Sequence, residues 1–307
     1  KLPHWRFKLI DEEVSWDDLI RGKCTYDMRS LSDPVIMRED GRPIYTLASV
    51  VDDIDHEITH IIRGEDHVTN SAAQIQLFKA LGIQPPSLGH LSLIAGSEGE
   101  GLSKRLGSLS LGQLKQEGLE SNALTSLLAK LGTSDPISFI ENIEGLIKDF
   151  DLKKFSRNTA KFDMKDLYLL NKKSIQSMSY QEALKRLKLI DLENISEEFW
   201  NTVSGNLNNL KEIKLWWNVV FGEIKPIIDN RNLINIAIKL FPNEILDQTT
   251  WGSWCKIISS ESDFKGKELF ISLRKALTSY DYGPELSKLL PMIGKEKILS
   301  RLSGKVS

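Results

Sequence analysis

The spacing of hydrophobic positions changes twice along the chain and divides it into three stretches. In residues 1–43, apolar residues come in short clusters such as Trp5-Arg6-Phe7-Lys8-Leu9 and Val35-Ile36-Met37-Arg38. Turn residues separate them: Gly22, Asp33-Pro34 and Asp40-Gly41-Arg42-Pro43. Short runs between turn signals predict strands, so this stretch is expected to be a small β-rich piece lacking its N-terminal partner. Trp5, Trp16 and Phe7 are expected to serve as core, since large aromatics are usually buried; stacking on nucleic acid is the alternative.

In residues 44–110 the apolar runs are continuous. Residues 44–51 form one run ending in Asp52-Asp53, and residues 58–62 a second, ending at Arg63-Gly64-Glu65-Asp66-His67. A helix is expected next, with Thr69, Asn70 or Ser71 as cap, an apolar face of Ala72, Ile75, Leu77, Phe78 and Leu81, and Gly82 at its exit. Residues 91–95 form a third run. Apolar runs without alternation suit strands buried on both faces. Strand, helix and strand in this order predict a parallel βαβ unit. The polar segments Arg63–His67 and Gly96–Arg105 would then both leave the carboxyl edge of one sheet, where open parallel sheets bind ligands.

From residue 111 onward the apolar period is helical. Leu111, Leu114, Leu119, Ala123, Leu124, Leu127, Leu128 and Leu131 recur at three-and-four spacing up to Gly132. Similar runs occupy 181–190, 207–221, 243–258, 264–278 and 284–302. No fixed repeat links them, which argues against a solenoid.

Composition narrows the picture only modestly. The 307 residues, 41% hydrophobic and 27% charged, suit two or three ordinary globular domains. A formal net charge of −2 points to no particular partner, although an RNA binder can be near neutral and concentrate its cations on one face. Two distant cysteines without ligand spacing suggest a reduced compartment and no structural metal. No apolar run approaches a bilayer span. Position 1 is Lys, and no signal peptide precedes it, so a fragment or processed product is expected.

The segment Gly96-Ser97-Glu98-Gly99-Glu100-Gly101-Leu102-Ser103-Lys104-Arg105 carries the most chemistry. Glycines permit close backbone approach, while Ser103, Lys104 and Arg105 offer a hydroxyl and two cations at the ligand edge. Such a loop suits nucleotidyl transfer, which needs positioning and charge neutralisation; a solvated surface turn is the bland alternative. Gly101-Leu102-Ser103-Lys104-Arg105 resembles the Lys-Met-Ser-Lys-Ser signature of class I aminoacyl-tRNA synthetases. Pro43-Ile44-Tyr45-Thr46-Leu47-Ala48 with Val50-Val51-Asp52-Asp53, and Thr59-His60-Ile61-Ile62-Arg63-Gly64-Glu65-Asp66-His67, are similar to two further segments of bacterial glutamyl-tRNA synthetases. Gly283-Pro284-Glu285-Leu286 and Gly294-Lys295-Glu296 resemble that family's C-terminal part.

The resemblance implies the α/β half of a Rossmann-type catalytic domain followed by all-α anticodon-binding domains, mainly α overall. Its boundaries would be 1–43 (end of the acceptor-binding insertion), 44–110 (second half of the catalytic domain), 111–178 (stem contact), and 179–235 and 236–307 (helical anticodon-binding domains). It implies glutamate activation by ATP and transfer to the 3′ end of tRNA(Glu), with charging of tRNA(Gln) left open. Tyr45, Arg63, Ser49 and His67 would bind glutamate, the Arg as a bidentate reader of the side-chain carboxylate. For Arg63, pairing with Glu65 or Asp66 is the competing expectation. Leu93, Ile94, Lys104 and Asp66 would line the ATP site, and Ser103, Lys104 and Arg105 would act on the phosphates. ATP with Mg²⁺ would be a substrate complex. No protein-bound metal is expected: His67 lacks a ligand-spaced partner, and Asp52-Asp53-Ile54-Asp55 is expected to do turn and cap work. Trp216, Trp217, Trp251 and Trp254 could stack on anticodon bases, but helix core is the expectation for each.

The family's His-Ile-Gly-His signature is absent and Gly101 replaces a signature Lys, so these residues alone are expected not to activate glutamate. A cytoplasmic monomer is expected. Two other functions remain open: a catalytically dead tRNA-binding fragment or paralogue, and, against the long helical part, an adenylyltransferase acting on a small metabolite.

Overall fold

The computed structural model describes residues 3–96, 99, 110–190, 192 and 194–307. Two compact units are present: one within 1–113 and 125–166, the other within 114–124 and 167–307. The loop residues Ser103, Lys104 and Arg105, and Gly101 beside them, lie outside the described residues.

The first unit opens with β1 (Trp5–Arg6), β2 (Glu13–Asp18), β3 (Gly22–Asp27) and β4 (Val35–Met37). β1 pairs antiparallel with β4, and β2 with β3 in a hairpin that turns at Gly22, whose φ of +71° a side chain would strain. The β-rich expectation therefore holds, but Trp5 is 67% exposed and is not core. Strand β1 is only two residues long, too short to cover the indole. Trp16 and Phe7 do pack against buried residues, Trp16 stacking on Tyr26 at 5.7 Å.

Residues 44–51, read from sequence as a strand, form a helix, α1 (Tyr45–Asp55). Leu47, Val50 and Ile54 recur at helical spacing and place Val50 fully inside, against Leu77 and Phe78. A short apolar run fits either period, and tertiary contact on one face decided for the helix. Asp52, Asp53 and Asp55 accordingly occupy the last turn of α1 rather than a turn between strands. The carbonyl end of a helix is the unfavourable end for acids. Burial raises the pKa of Asp53, with the positive charge of Arg63 opposing.

Strand β5 (His60–Gly64), helix α2 (Val68–Ala80) and strand β6 (Ser87–Leu91) form the expected parallel βαβ unit, with His60 opposite Ser87 and Gly64 opposite Leu91. The second strand of the unit lies earlier than residues 91–95, which instead straddle its end and β7 (Ile94–Gly96). A 3₁₀ turn, Glu65–His67, leads into α2, so Thr69, Asn70 and Ser71 lie inside the helix and none caps it. Residues Ser71 to Phe78 are all buried, because α2 is packed on several sides. Ala72, Ala73 and Ile75 meet Leu9, Val14, Met28 and Leu88, while Leu77 and Phe78 meet Val50. Leu81, expected on the buried face, is 48% exposed because the helix has ended and Gly82 turns the chain at φ +77°.

Helices α3 (Leu111–Glu117) and α4 (Ser121–Lys130) replace the single run read over 111–131, since Gly118 breaks it at φ +87°. Gly132 ends α4 as expected. Next come α5 (Ile143–Asp149), β8 (Ala160–Phe162) and α6 (Met164–Ser177). β8 pairs parallel with β7, Ile94 opposite Ala160.

Among the described residues of the second unit no strand occurs. Its helices are α7 (Tyr180–Leu187), α8 (Glu197–Val203), α9 (Ile213–Val220), α10 (Arg231–Lys239), α11 (Thr250–Ser260), α12 (Gly266–Thr278), α13 (Leu286–Ile293) and α14 (Lys295–Leu302). The run read over 243–258 turns helical only at Thr250, because the Asp247 carboxylate accepts the N–H groups of Thr249 and Thr250 and holds a turn ahead of the helix. The run over 284–302 is split by Gly294 at φ +83°. One apolar cluster joins residues from Ile175 to Leu302 and contains Trp216 and Trp254, with Trp217 and Trp251 packed against it. Trp216 and Trp254 are thus helix core as expected, while Trp217 and Trp251 are half-buried at its margin. No helix is long and apolar enough to cross a membrane among the described residues.

Candidate functional site

Arg63 stands at the carboxyl end of β5, between the first turns of α1 and α2. Its Nη1 donates to the Tyr45 hydroxyl at 3.0 Å, and its Nη2 to Ser71 Oγ at 2.5 Å and Gln74 Oε1 at 2.6 Å. Gln74 Nε2 donates to Ser49 Oγ at 2.8 Å, and Ser49 Oγ donates to the Tyr45 carbonyl at 2.7 Å. The ring of His67 lies 5.5 Å from that of Tyr45. The four residues Tyr45, Ser49, Arg63 and His67 are thus gathered into one polar cluster.

Helical spacing produces this gathering. Tyr45 and Ser49 are one turn apart on α1, while His67, Ser71 and Gln74 follow the i, i+4, i+7 stripe of α2 and its approach. Gln74 and Ser71 were not anticipated from sequence. The available signal was two polar residues on that stripe, flanking the apolar Ala72 and Ala73.

The electrostatics of Arg63 are unusual for a half-buried cation. Among the described residues it forms no ion pair: Glu65, the nearest acid in sequence, is bound to Arg21 at 2.6 Å, and Asp66 approaches His67 at 3.9 Å. Every group that holds Arg63 is neutral. Its buried Nε–H has no acceptor, an unmet demand that costs on the order of 1–3 kcal/mol. The competing expectation of an Arg63 pair with Glu65 or Asp66 is therefore not met.

Asp66 and Leu93 meet at Gly64, the neighbour of Arg63, and Ile94 follows at the start of β7. A Cβ on Gly64 would stand 2.5 Å from Asp66 Oδ1 and 3.3 Å from Leu93 Cδ2, so glycine permits the close approach of these two side chains. Glu65 Oε1 accepts the Leu93 N–H at 3.3 Å, and the Leu93 carbonyl accepts from Ala160 at 3.2 Å. Alternate residues of a strand face the same neighbour, so the N–H and C=O of Ile94 point away from β8. Among the described residues no strand pairs with that edge of β7. No group of three His, Cys, Asp or Glu side chains that could hold a metal ion occurs among the described residues.

Behind Arg63 lies a second feature not anticipated from sequence. Ser71 Oγ is 2.7 Å from His90 Nε2, and His90 Nδ1 is 2.5 Å from Asp18 Oδ2, both His90 and the Asp18 side chain being sealed from solvent. Burial works to raise the pKa of Asp18, but the backbone N–H groups of Arg21, His90 and Ile20 and the His90 ring outweigh it and hold the carboxyl below its ordinary 3.8. A carboxyl depressed in the folded state contributes stability that is complete above its unfolded pKa, about 4, and is lost as pH falls through the folded value. Stability is therefore expected to drop in acid below about pH 4, and Asp18→Asn to flatten that part of the curve. Urea titrations from pH 2 to 7 check this; parallel curves for the two proteins would refute it.

Comparison with known proteins adds an independent line. The family described as tRNA synthetases class I (E and Q), catalytic domain, matches residues 4–169. Glutamate–tRNA ligase 1 of Maricaulis maris is 44% identical over 306 residues, spanning 99% of this chain and 68% of the relative. Glutamate–tRNA ligase 2 of a Methylobacterium species is 46% identical over 306 residues, with the same coverage of 99% and 68%. Among solved structures, a glutamate tRNA ligase from Elizabethkingia meningosepticum in complex with its amino acid superposes with a TM-score of 0.80 at 25% identity. It is matched over 97% of this chain and 67% of that one.

Proposed function

The chain belongs to the class I tRNA synthetases of the E and Q type, and from that premise we propose that it forms part of a glutamate–tRNA ligase whose amino-acid pocket is built around Arg63. The observation that carries this reading is the way Arg63 is held. Three neutral oxygens fix the guanidinium and, among the described residues, no carboxylate forms an ion pair with it, Asp53 acting on it only through space. A planar cation kept unpaired by its own protein is suited to a carboxylate from outside. Tyr45 and Ser49 complete the glutamate pocket with His67.

ATP, with Mg²⁺ on its phosphates, is the second substrate. It lies along the open edge at Leu93 and Ile94, near Asp66, with Ser103, Lys104 and Arg105 serving the phosphates. An oxygen of glutamate's α-carboxylate attacks the α-phosphorus, pyrophosphate leaves with the electrons of the broken P–O bond, and glutamyl-adenylate forms. A ribose hydroxyl at the tRNA 3′ end then attacks the acyl carbon, loses its proton and expels AMP. No covalent enzyme intermediate is required, so alignment and charge neutralisation carry the catalysis.

On the same reading, residues 1–43 belong to the acceptor-binding insertion, 44–110 to the catalytic half, 111–178 to the stem-contact fold, and 179–235 and 236–307 to helical anticodon-binding domains. The enzyme works as a cytoplasmic monomer on tRNA(Glu).

The test is aminoacylation by the protein expressed from its complete reading frame, supplied with labelled glutamate, ATP and purified tRNA(Glu). Glutamyl-tRNA is the expected product, and the 307 residues alone are expected to give no ATP–pyrophosphate exchange. Binding of tRNA without charging by the complete protein would overturn the proposal and leave a tRNA-binding module in its place. Exchange by the 307 residues would overturn the statement about the isolated chain.

A further inference from the structure

The polar groups behind Arg63 run from the amino-acid pocket into the interior: Arg63 Nη2, Ser71 Oγ at 2.5 Å, His90 Nε2 at 2.7 Å from that oxygen, and Asp18 Oδ2 at 2.5 Å from His90 Nδ1. Ser71 and His90 are 0% exposed and Asp18 is 5% exposed. A Ser-His-Asp order suggests a nucleophile, but no substrate atom can reach a serine with no accessible surface. What these residues can do is determine how Arg63 is held.

The hydrogen bonds have only one consistent direction when His90 is neutral. Asp18 Oδ1 accepts the backbone N–H groups of Ile20, Arg21 and His90 at 3.1, 3.0 and 3.1 Å, and Oδ2 accepts Trp16 Nε1 at 3.2 Å. A carboxylate so surrounded by donors is ionised and can only accept. His90 must then carry its proton on Nδ1, which makes Nε2 an acceptor. The Ser71 hydroxyl donates to Nε2, and an oxygen lone pair is left facing Arg63, which can only donate. Each donor in the chain meets one acceptor.

We infer that Asp18 and His90 are positioning residues for amino-acid recognition. They fix the Ser71 hydroxyl, and through it the guanidinium that meets the substrate's side-chain carboxylate. The inference rests on the reading of Arg63 given above. Asp18 lies at the tip of the β2–β3 hairpin, outside the βαβ unit, so the N-terminal stretch takes part in shaping the pocket.

Asp18→Asn tests the direction of the chain. The three backbone donors retain the Asn oxygen at the Oδ1 position, so the amide nitrogen faces His90 and donates to Nδ1. The ring proton moves to Nε2, the Ser71 hydroxyl turns to the His67 carbonyl at 3.1 Å, and Ser71 Oγ is shared between two donors. Ser71→Ala removes the link outright with the loss of one atom, and stands in if the Asn protein does not fold.

The measurements, on the protein from its complete reading frame, are KM for L-glutamate and for ATP in tRNA-dependent pyrophosphate exchange, and the ring ¹⁵N shifts of His90. Both variants are expected to raise KM for glutamate roughly tenfold, as for a lost hydrogen bond to a charged group, and to leave KM for ATP unchanged. The ¹⁵N spectrum is expected to show the Nδ1–H tautomer in the wild type and the Nε2–H tautomer in Asp18→Asn. A lower kcat with both KM values intact, or an Nε2–H tautomer in the wild type, would overturn the inference. Arg63→Gln serves as reference. If it raises KM for glutamate while the other variants do not, the relay alone fails; if it also leaves that KM unchanged, the pocket assignment fails.

Discussion

Gly283→Ala is expected to destabilise the helical unit by about 3–5 kcal/mol, a size confined to a few mechanisms. A Cβ at position 283 would stand 2.0 Å from Trp216 Cη2 and 2.6 Å from Cζ2. The indole cannot retreat, because Trp216 is 1% exposed and its ring is met edge-on by Tyr280 at 5.7 Å and Tyr282 at 6.1 Å. The backbone adds to the conflict, since Gly283 has a φ of +128°, a region that side chains disfavour. Overpacking and backbone strain each contribute about 1–3 kcal/mol. Gly252 within α11 is the control, for a Cβ there meets nothing within 4 Å, and Gly252→Ala should stabilise by about 0.5–1 kcal/mol through helix propensity. Urea unfolding followed by circular dichroism measures both. A Gly283→Ala protein within about 1 kcal/mol of wild type would show that the core around Trp216 can yield where close packing says it cannot.

Why a glycine belongs at position 283 could not be read from the sequence, where Gly283-Pro284 shows only a turn. The reason lies in Trp216, 67 positions away along the chain. The same division runs through the rest of the molecule. The parallel βαβ unit was legible because apolar runs and a helix of fitting length are local patterns, and Arg63 was legible as the polar residue at a strand's end. Strand β8 was not, because Ala160-Lys161-Phe162 has no pattern and gains its identity only from β7. Helix α8, at seven residues, is too short to establish a period. Gln76 carries no signal in the sequence, yet it donates to and accepts from the backbone of Ile10, both at 2.9 Å, in the manner of a strand neighbour. Asp18 and His90 sit 72 positions apart and carry no motif.

These cases share one physical cause. A buried polar group is tolerated only when it finds partners, and at these positions the partners arrive from elsewhere in the chain. Single-residue patterning reports such a group as an anomaly and cannot say what resolves it. Around Arg63 the resolution is a set of neutral groups from both helices and, behind them, a hairpin carboxylate. Local sequence therefore placed Arg63 at the end of a strand, and the family resemblance gave its expected role, while the groups that hold it came into view only with the fold.

Arg63→Gln is expected to lower kcat/KM for glutamate by about 10²–10³-fold, within the roughly 2–5 kcal/mol typical of truncating one partner of a desolvated charged pair. Gln keeps a donor but ends two atoms short of the Nη groups, and it loses the charge and the fork. Arg63→Lys restores the charge without the planar fork and should fall between the two. Its single nitrogen can serve Ser71 and Gln74 together, as Nη2 does now, or Tyr45, but it cannot span all three oxygens as the two Nη atoms do. Both variants should leave KM for ATP unaltered, because the bonds of Arg63 are to Tyr45, Ser71 and Gln74 and none is to Leu93 or Asp66, the residues proposed for ATP. Pyrophosphate exchange with tRNA present, run across a glutamate series at fixed ATP and the reverse, separates the two substrates. Wild-type glutamate kinetics in Arg63→Gln would mean that a different cation reads the substrate carboxylate. A matched loss in both KM values would mean that Arg63 supports the fold of the cleft rather than the recognition of its ligand.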